Sequence, residues 1–127
     1  MSKSGKLAVA VAVLAAGTAW AGARMNSNVW VNVTGREAGG LLGAAYNSPD
    51  TTQFIGCSVT IYPTGPSGMT CYARDPANNT VSCTTNSAEL IKAALALNSD
   101  GYLQFAWDET GWCTWLMVNN LSSYTKK

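Results

Sequence analysis

The chain has 127 residues, with eight Lys and Arg against seven Asp and Glu, four cysteines and no histidine. A formal net charge of +1 supplies no basic field with which to gather nucleic acid or an anionic membrane surface. Without imidazole, the usual general base, the Ser-His and Cys-His nucleophile pairs and most zinc sites are all missing.

At the N-terminus, Lys3 and Lys6 precede an unbroken apolar run from Leu7 to Ala16. Ala19-Trp20-Ala21 and Ala21-Gly22-Ala23 then place small residues where a signal peptidase accepts them. The run is far shorter than the roughly 20 residues of a membrane-spanning helix. Residues 1–23 therefore read as a secretory signal peptide, cleaved after Ala21 or Ala23, and the mature chain as secreted or periplasmic with no membrane span. No cysteine precedes Cys57, so no thiol is placed for lipidation, and no Arg-Arg pair marks a twin-arginine signal. After cleavage at Ala23, Arg24, Arg36, Arg74, Lys92, Lys126 and Lys127 stand against Glu37, Asp50, Asp75, Glu89, Asp100, Asp108 and Glu109, a net charge of minus one.

Residues 24–51 read as an N-terminal strand and a connection. Val29, Val31 and Val33 alternate with Trp30 and Asn32, the period of a strand with one apolar face. Residues 34–50 hold Gly35, Gly39, Gly40, Gly43 and Pro49, which predicts a pliant link with at most a short helical turn. The strand is thus expected to be detached, and either to complete its own domain's sheet or to pair with a neighbouring subunit and build a filament. The latter makes Val29, Trp30, Val31 and Val33 a candidate subunit-contact strand. Gly39-Gly40 lacks the later glycine and lysine of a phosphate-binding loop.

Residues 52–127 read as a disulfide-stabilised, β-rich domain. Ile55, Cys57, Val59 and Ile61 share one strand face; Pro63 to Gly68 turns the chain; Met69, Cys71 and Ala73 share the face of the return strand. A second turn at Asp75 to Asn79 leads to Val81, Cys83 and Thr85. Asn86 with Glu89 three residues later resembles a capping box, and Leu90, Ile91, Ala94, Leu95 and Leu97 form a helical stripe, predicting a helix over 87–97. Leu103, Phe105 and Trp107 alternate in the next strand, and Asp108 to Gly111 turns into a last strand, 112–119. Trp112, Leu116 and Val118 fall on one of its faces and Cys113, Trp115 and Met117 on the other, so it is expected to be central or covered on both sides. The fold class is α+β and β-rich: an antiparallel sheet of five to six strands with one helix packed on it.

In an exported chain without histidine, Cys57, Cys71, Cys83 and Cys113 read as two disulfides rather than a metal site, and no cofactor or metal is expected. Cys71 and Cys83 lie symmetrically about the Asp75 to Asn79 turn, which favours bridges Cys71–Cys83 and Cys57–Cys113. Strand parity alone also allows Cys57–Cys83.

Asp108 and Glu109 form the nearest carboxylate pair, but neighbours in a hairpin turn point apart and commonly only shape the turn, so no catalytic residue is assigned. The rings of Trp30, Trp107, Trp112, Trp115, Tyr46, Tyr62, Tyr72, Tyr102 and Tyr124 are numerous for the chain's size. Rings at alternating strand positions are mostly core, yet exposed ones beside Asn and Gln suit sugar faces, which makes Trp112, Trp115 and Tyr102 candidates for carbohydrate binding. Over its last two-thirds, through Ile55-Gly56-Cys57, the Cys71 and Cys83 strands, Phe105-Ala106-Trp107-Asp108 and Cys113, the chain resembles small exported bacterial cysteine-bearing proteins of unassigned function. That resemblance implies a periplasmic or extracellular setting and no mechanism. The expected role is that of a non-enzymatic structural or assembly subunit, with copies of itself or another exported protein as partner. The alternative is a carbohydrate-binding module.

Overall fold

The computed structural model describes residues 22–127. The charged and apolar parts of the expected signal peptide, and its cleavage after Ala21, lie outside the described residues. No helix among the described residues is long and apolar enough to cross a membrane.

Among the described residues, seven strands and two helices follow one another: β1 Trp30–Asn32, β2 Glu37–Leu41, α1 Leu42–Tyr46, β3 Phe54–Thr60, β4 Gly68–Arg74, β5 Thr80–Thr85, α2 Ala88–Leu95, β6 Tyr102–Trp107 and β7 Cys113–Asn119. The single sheet expected from the sequence is in fact two antiparallel sheets, ordered β1-β2-β6-β7 and β3-β4-β5. Each has one apolar face, and the two faces bury one another. Val29, just before β1, and Ala38, Leu103 and Phe105 from the first sheet meet Met69, Cys71, Ala73 and Cys83 from the second, all at most 2% exposed.

The segment expected to be a pliant connection contains β2, an inner strand of the larger sheet. Its glycines serve close packing rather than flexibility. A Cβ on Gly40 would stand 2.9 Å from the Val29 Cα, and one on Gly39 would stand 2.8 Å from the Tyr102 hydroxyl. The N-terminal strand is consequently not detached: Trp30, Val31 and Asn32 pair with Gly39, Ala38 and Glu37 of the same chain. The connecting turn is closed by Arg36 N–H donating to the Val33 carbonyl (3.3 Å) and Gly35 N–H to Asn32 Oδ1 (2.9 Å). Because β2 also pairs with β6, residues from both sides of position 52 share one sheet.

Helix α2 places Ile91 in the core and packs against β7. Its N-cap is Ser87 rather than the expected Asn86, with the Ser87 hydroxyl accepting from Leu90 N–H at 3.4 Å. Strand β7 is an edge strand, not a central one, because it pairs only with β6. A register shift after Ala106 sets Trp107 opposite Cys113 and breaks simple alternation, so Cys113 turns inward with Leu116 and Val118. Trp112 stays 49% exposed instead of sharing their face.

The cysteines bridge as Cys57–Cys71 and Cys83–Cys113, which is neither the favoured Cys71–Cys83 with Cys57–Cys113 nor the Cys57–Cys83 alternative. Cys71 lies on the middle strand directly opposite both Cys57 and Cys83. A residue of an inner antiparallel strand aims its N–H and C=O at one neighbour only, which leaves the narrow, non-hydrogen-bonded pair on the other side. The Cα separation of 4.0 Å places that narrow pair at Cys57–Cys71. Cys83 then reaches across to Cys113 (Cα separation 5.1 Å) and fastens one sheet to the other.

Candidate functional site

The face of the four-stranded sheet turned away from the core is built from the alternate residues of each strand. Its cross-strand rows are Trp30, Gly39, Gln104 and Met117; then Asn32, Glu37, Ala106 and Trp115; then Leu41, Tyr102 and Asn119. The Leu41 and Tyr102 end is covered by Ala44 of α1 and by Tyr124, whose ring stands 6.3 Å from that of Tyr102. Toward the other rows the face is open, with Trp30 and Trp115 half-buried and Met117 40% exposed.

Gly39 and Ala106 on the inner strands leave room for the rings beside them. With no side chain at Gly39, the Trp30 indole lies across it, near enough that an added Cβ would stand 3.0 Å from Trp30 Cζ2. The indole Nε1–H donates to the Tyr102 hydroxyl (3.2 Å), which in turn donates to Gln104 Oε1 (2.9 Å). Each donor has an acceptor, so the rings are fixed in place before any ligand arrives. The Gln104 amide group and the half-buried Glu37 carboxylate supply a donor and an acceptor beside the rings.

Two of the three expected carbohydrate-binding residues, Trp115 and Tyr102, thus share a face, although the Tyr102 ring is partly covered and contributes mainly its hydroxyl. Trp112 does not join them; it lies at the β6–β7 turn, bridged through its backbone to Thr84. Sequence reasoning placed Trp30 with the subunit-contact strand and missed its place here. The signal available was its phase: Trp30 is the large residue between the inward Val29 and Val31. Of that contact strand, Val29 is 2% exposed in the core, Val31 packs against the core, and Val33 is exposed beyond the end of β1. Trp107 and Phe105 pack together with ring centroids 5.9 Å apart, as the packing reading of that strand expects.

The carboxylates hold turns together. Asp108 Oδ1 accepts from Thr110 Oγ1 (2.7 Å) and from the Thr110 and Trp112 N–H groups, which keeps its carboxyl below the ordinary range, the Thr110 hydroxyl contributing most. Asp50 accepts from the Gln53 side chain, the Ser48 hydroxyl and the Gln53 and Thr52 N–H groups, and its carboxyl is strongly lowered by those bonds. Gln53 Oε1 accepts in turn from Val29 N–H at 2.8 Å, so this cluster ties the start of β1 to the loop before β3. Among the described residues no three His, Cys, Asp or Glu side chains gather in one place.

A second exposed face, on the outside of β3-β4-β5, carries Phe54 and Tyr72, each 38% exposed, with the Arg74 guanidinium 4.8 Å above the Phe54 ring. Its remaining positions are Ser and Thr together with Gly56 and Gly68. No family model, curated protein or solved structure matches the chain.

Proposed function

We propose that the chain is an exported, non-enzymatic carbohydrate-binding domain, with Trp30, Trp115 and Gln104 as its contact residues and Tyr102 as the group that positions Trp30. The observation that carries this reading is the hydrogen-bonded series Trp30–Tyr102–Gln104 on an open sheet face next to Trp115 and Met117. Flat rings match the apolar C–H faces of pyranose rings, while Gln104 and Glu37 can exchange hydrogen bonds with hydroxyl groups at the edge. The two disulfides and a chain charge close to zero fit an extracellular setting and an uncharged ligand.

Assembly through exchange of the N-terminal strand has less support. Release of β1 would break its pairing with β2 and withdraw Val29, 2% exposed, from the core.

The test is a screen of the purified mature protein on a glycan array and on insoluble polysaccharides. Trp30→Ala and Trp115→Ala are each expected to weaken binding tenfold or more with near-native circular dichroism, while Trp112→Ala leaves it unchanged. Binding that survives both substitutions, or a protein that retains no glycan, refutes the proposal.

A further inference from the structure

We propose that β3 is a docking edge for a second copy of this chain, the two β3 strands pairing antiparallel about a two-fold axis at Cys57. The 4.0 Å Cα separation of Cys57 and Cys71 marks a non-hydrogen-bonded pair, so the N–H and C=O groups of Ile55, Cys57 and Val59 point away from β4. None of these groups has a backbone partner off the sheet among the described residues. Natural sheets blunt such edges with charge, proline, bulges or shortness. β3 has none of these: its seven residues, FIGCSVT, are uncharged and proline-free, and their register with β4 is unbroken. The other edges are better protected. β1 has three residues, β5 adjoins Trp112 and is bridged to Cys113, and the β6–β7 ladder carries a register shift.

A two-fold axis at Cys57 makes the strand its own complement. Ile55 falls opposite Val59 of the second copy, a β-branched pair directed at the core side, and no charges oppose each other. Gly56 falls opposite Ser58 of the second copy, and the space where a Gly56 Cβ would stand has no atom within 4 Å. Beside the edge runs a crevice of about 390 Å³ lined by Leu42, Ala94, Leu95 and Leu97, with Leu95 61% exposed; Ile61, just past β3, is 59% exposed. Pairing joins the two three-stranded sheets into one of six strands, closes the symmetry, and covers this apolar strip. The aromatic face lies on the other sheet, so this inference is independent of the glycan reading.

Sedimentation-velocity runs from about 1 µM to about 1 mM test it across the affinity range of transient dimers. The expected result is a concentration-dependent dimer. Val59→Pro, which deletes an outward N–H without touching the β3–β4 ladder, and the exposed Ser58→Lys should each weaken it tenfold or more. Amide exchange on the unaltered protein provides a readout that does not depend on how the variants fold: the Ile55, Cys57 and Val59 amides should gain protection as concentration rises. A monomer throughout with fast exchange at those amides, an open-ended series of oligomers, or a dimer indifferent to Ser58→Lys overturns the proposal.

Discussion

Removal of the Cys83–Cys113 bridge is the perturbation whose cost follows most directly from the geometry. The cysteines are 30 residues apart in sequence, against 14 for Cys57–Cys71. In the loop-closure account, ordering the cross-linked unfolded chain is worth about 3.7 kcal/mol for the longer loop and about 3.0 kcal/mol for the shorter. The loops do not overlap along the chain, so the two contributions should nearly add. Their sum, about 6 to 7 kcal/mol, is comparable with the whole stability of a typical small domain, about 5 to 15 kcal/mol. At about 2.1 cal/mol/K per residue of unfolding entropy, each kcal/mol moves the midpoint of a domain this size by about 4 to 5 °C. Cys83→Ala/Cys113→Ala should therefore melt about 15 °C below the parent and Cys57→Ala/Cys71→Ala slightly less far below it, while the protein lacking both bridges should be largely unfolded at 37 °C. Calorimetry and urea titration under non-reducing conditions measure all three. A loss under about 1 kcal/mol for Cys83→Ala/Cys113→Ala, or a larger loss from the shorter loop, would refute the reasoning.

Asp50 predicts a pH effect. Its carboxyl is lowered first by the Gln53 side chain and then by the Ser48 hydroxyl, so its contribution to stability is present above the unfolded value of about 3.9 and fades as pH falls toward the lower folded value. Asp50→Asn should reduce the urea midpoint at pH 7, with the gap to the parent narrowing below about pH 4; a gap that is constant or widens on acidification contradicts the assignment. Gly39→Ala should push the Trp30 indole off its seat, since the added Cβ meets both Trp30 and the Tyr102 hydroxyl. Stability should fall by about 1 to 3 kcal/mol, and a glycan identified in the screen should bind at least tenfold more weakly at a temperature where the variant is fully folded. Unchanged affinity would mean that the ring position is immaterial.

The strand phases of residues 54–60, 68–74 and 80–85 and the stripe of the second helix were legible because one apolar face against water imposes a period on the side chains. β2 was not, because Glu37-Ala38-Gly39-Gly40-Leu41 has the composition of a loop. Its glycines are explained only by Val29 and Tyr102, neighbours that the fold brings beside them. Ser87 and Asn86 are both good capping residues, and the choice between them depends on where the chain leaves β5.

The sequence by itself determined that Cys57, Cys71 and Cys83 share the apolar strand faces, that the cysteines belong in bridges, and that the chain is β-rich. Each of these depends on the residue type and its position in a local repeat. Tertiary structure decided which cysteines meet, which strands lie at edges and which rings share a face. Those outcomes depend on strand order and register, and register is set by contacts between residues far apart in the chain. Trp30 shows the difference: its outward phase could be read from the valines beside it, but only the pairing of β1 with β2 and of β2 with β6 brought it to Tyr102, 72 positions away.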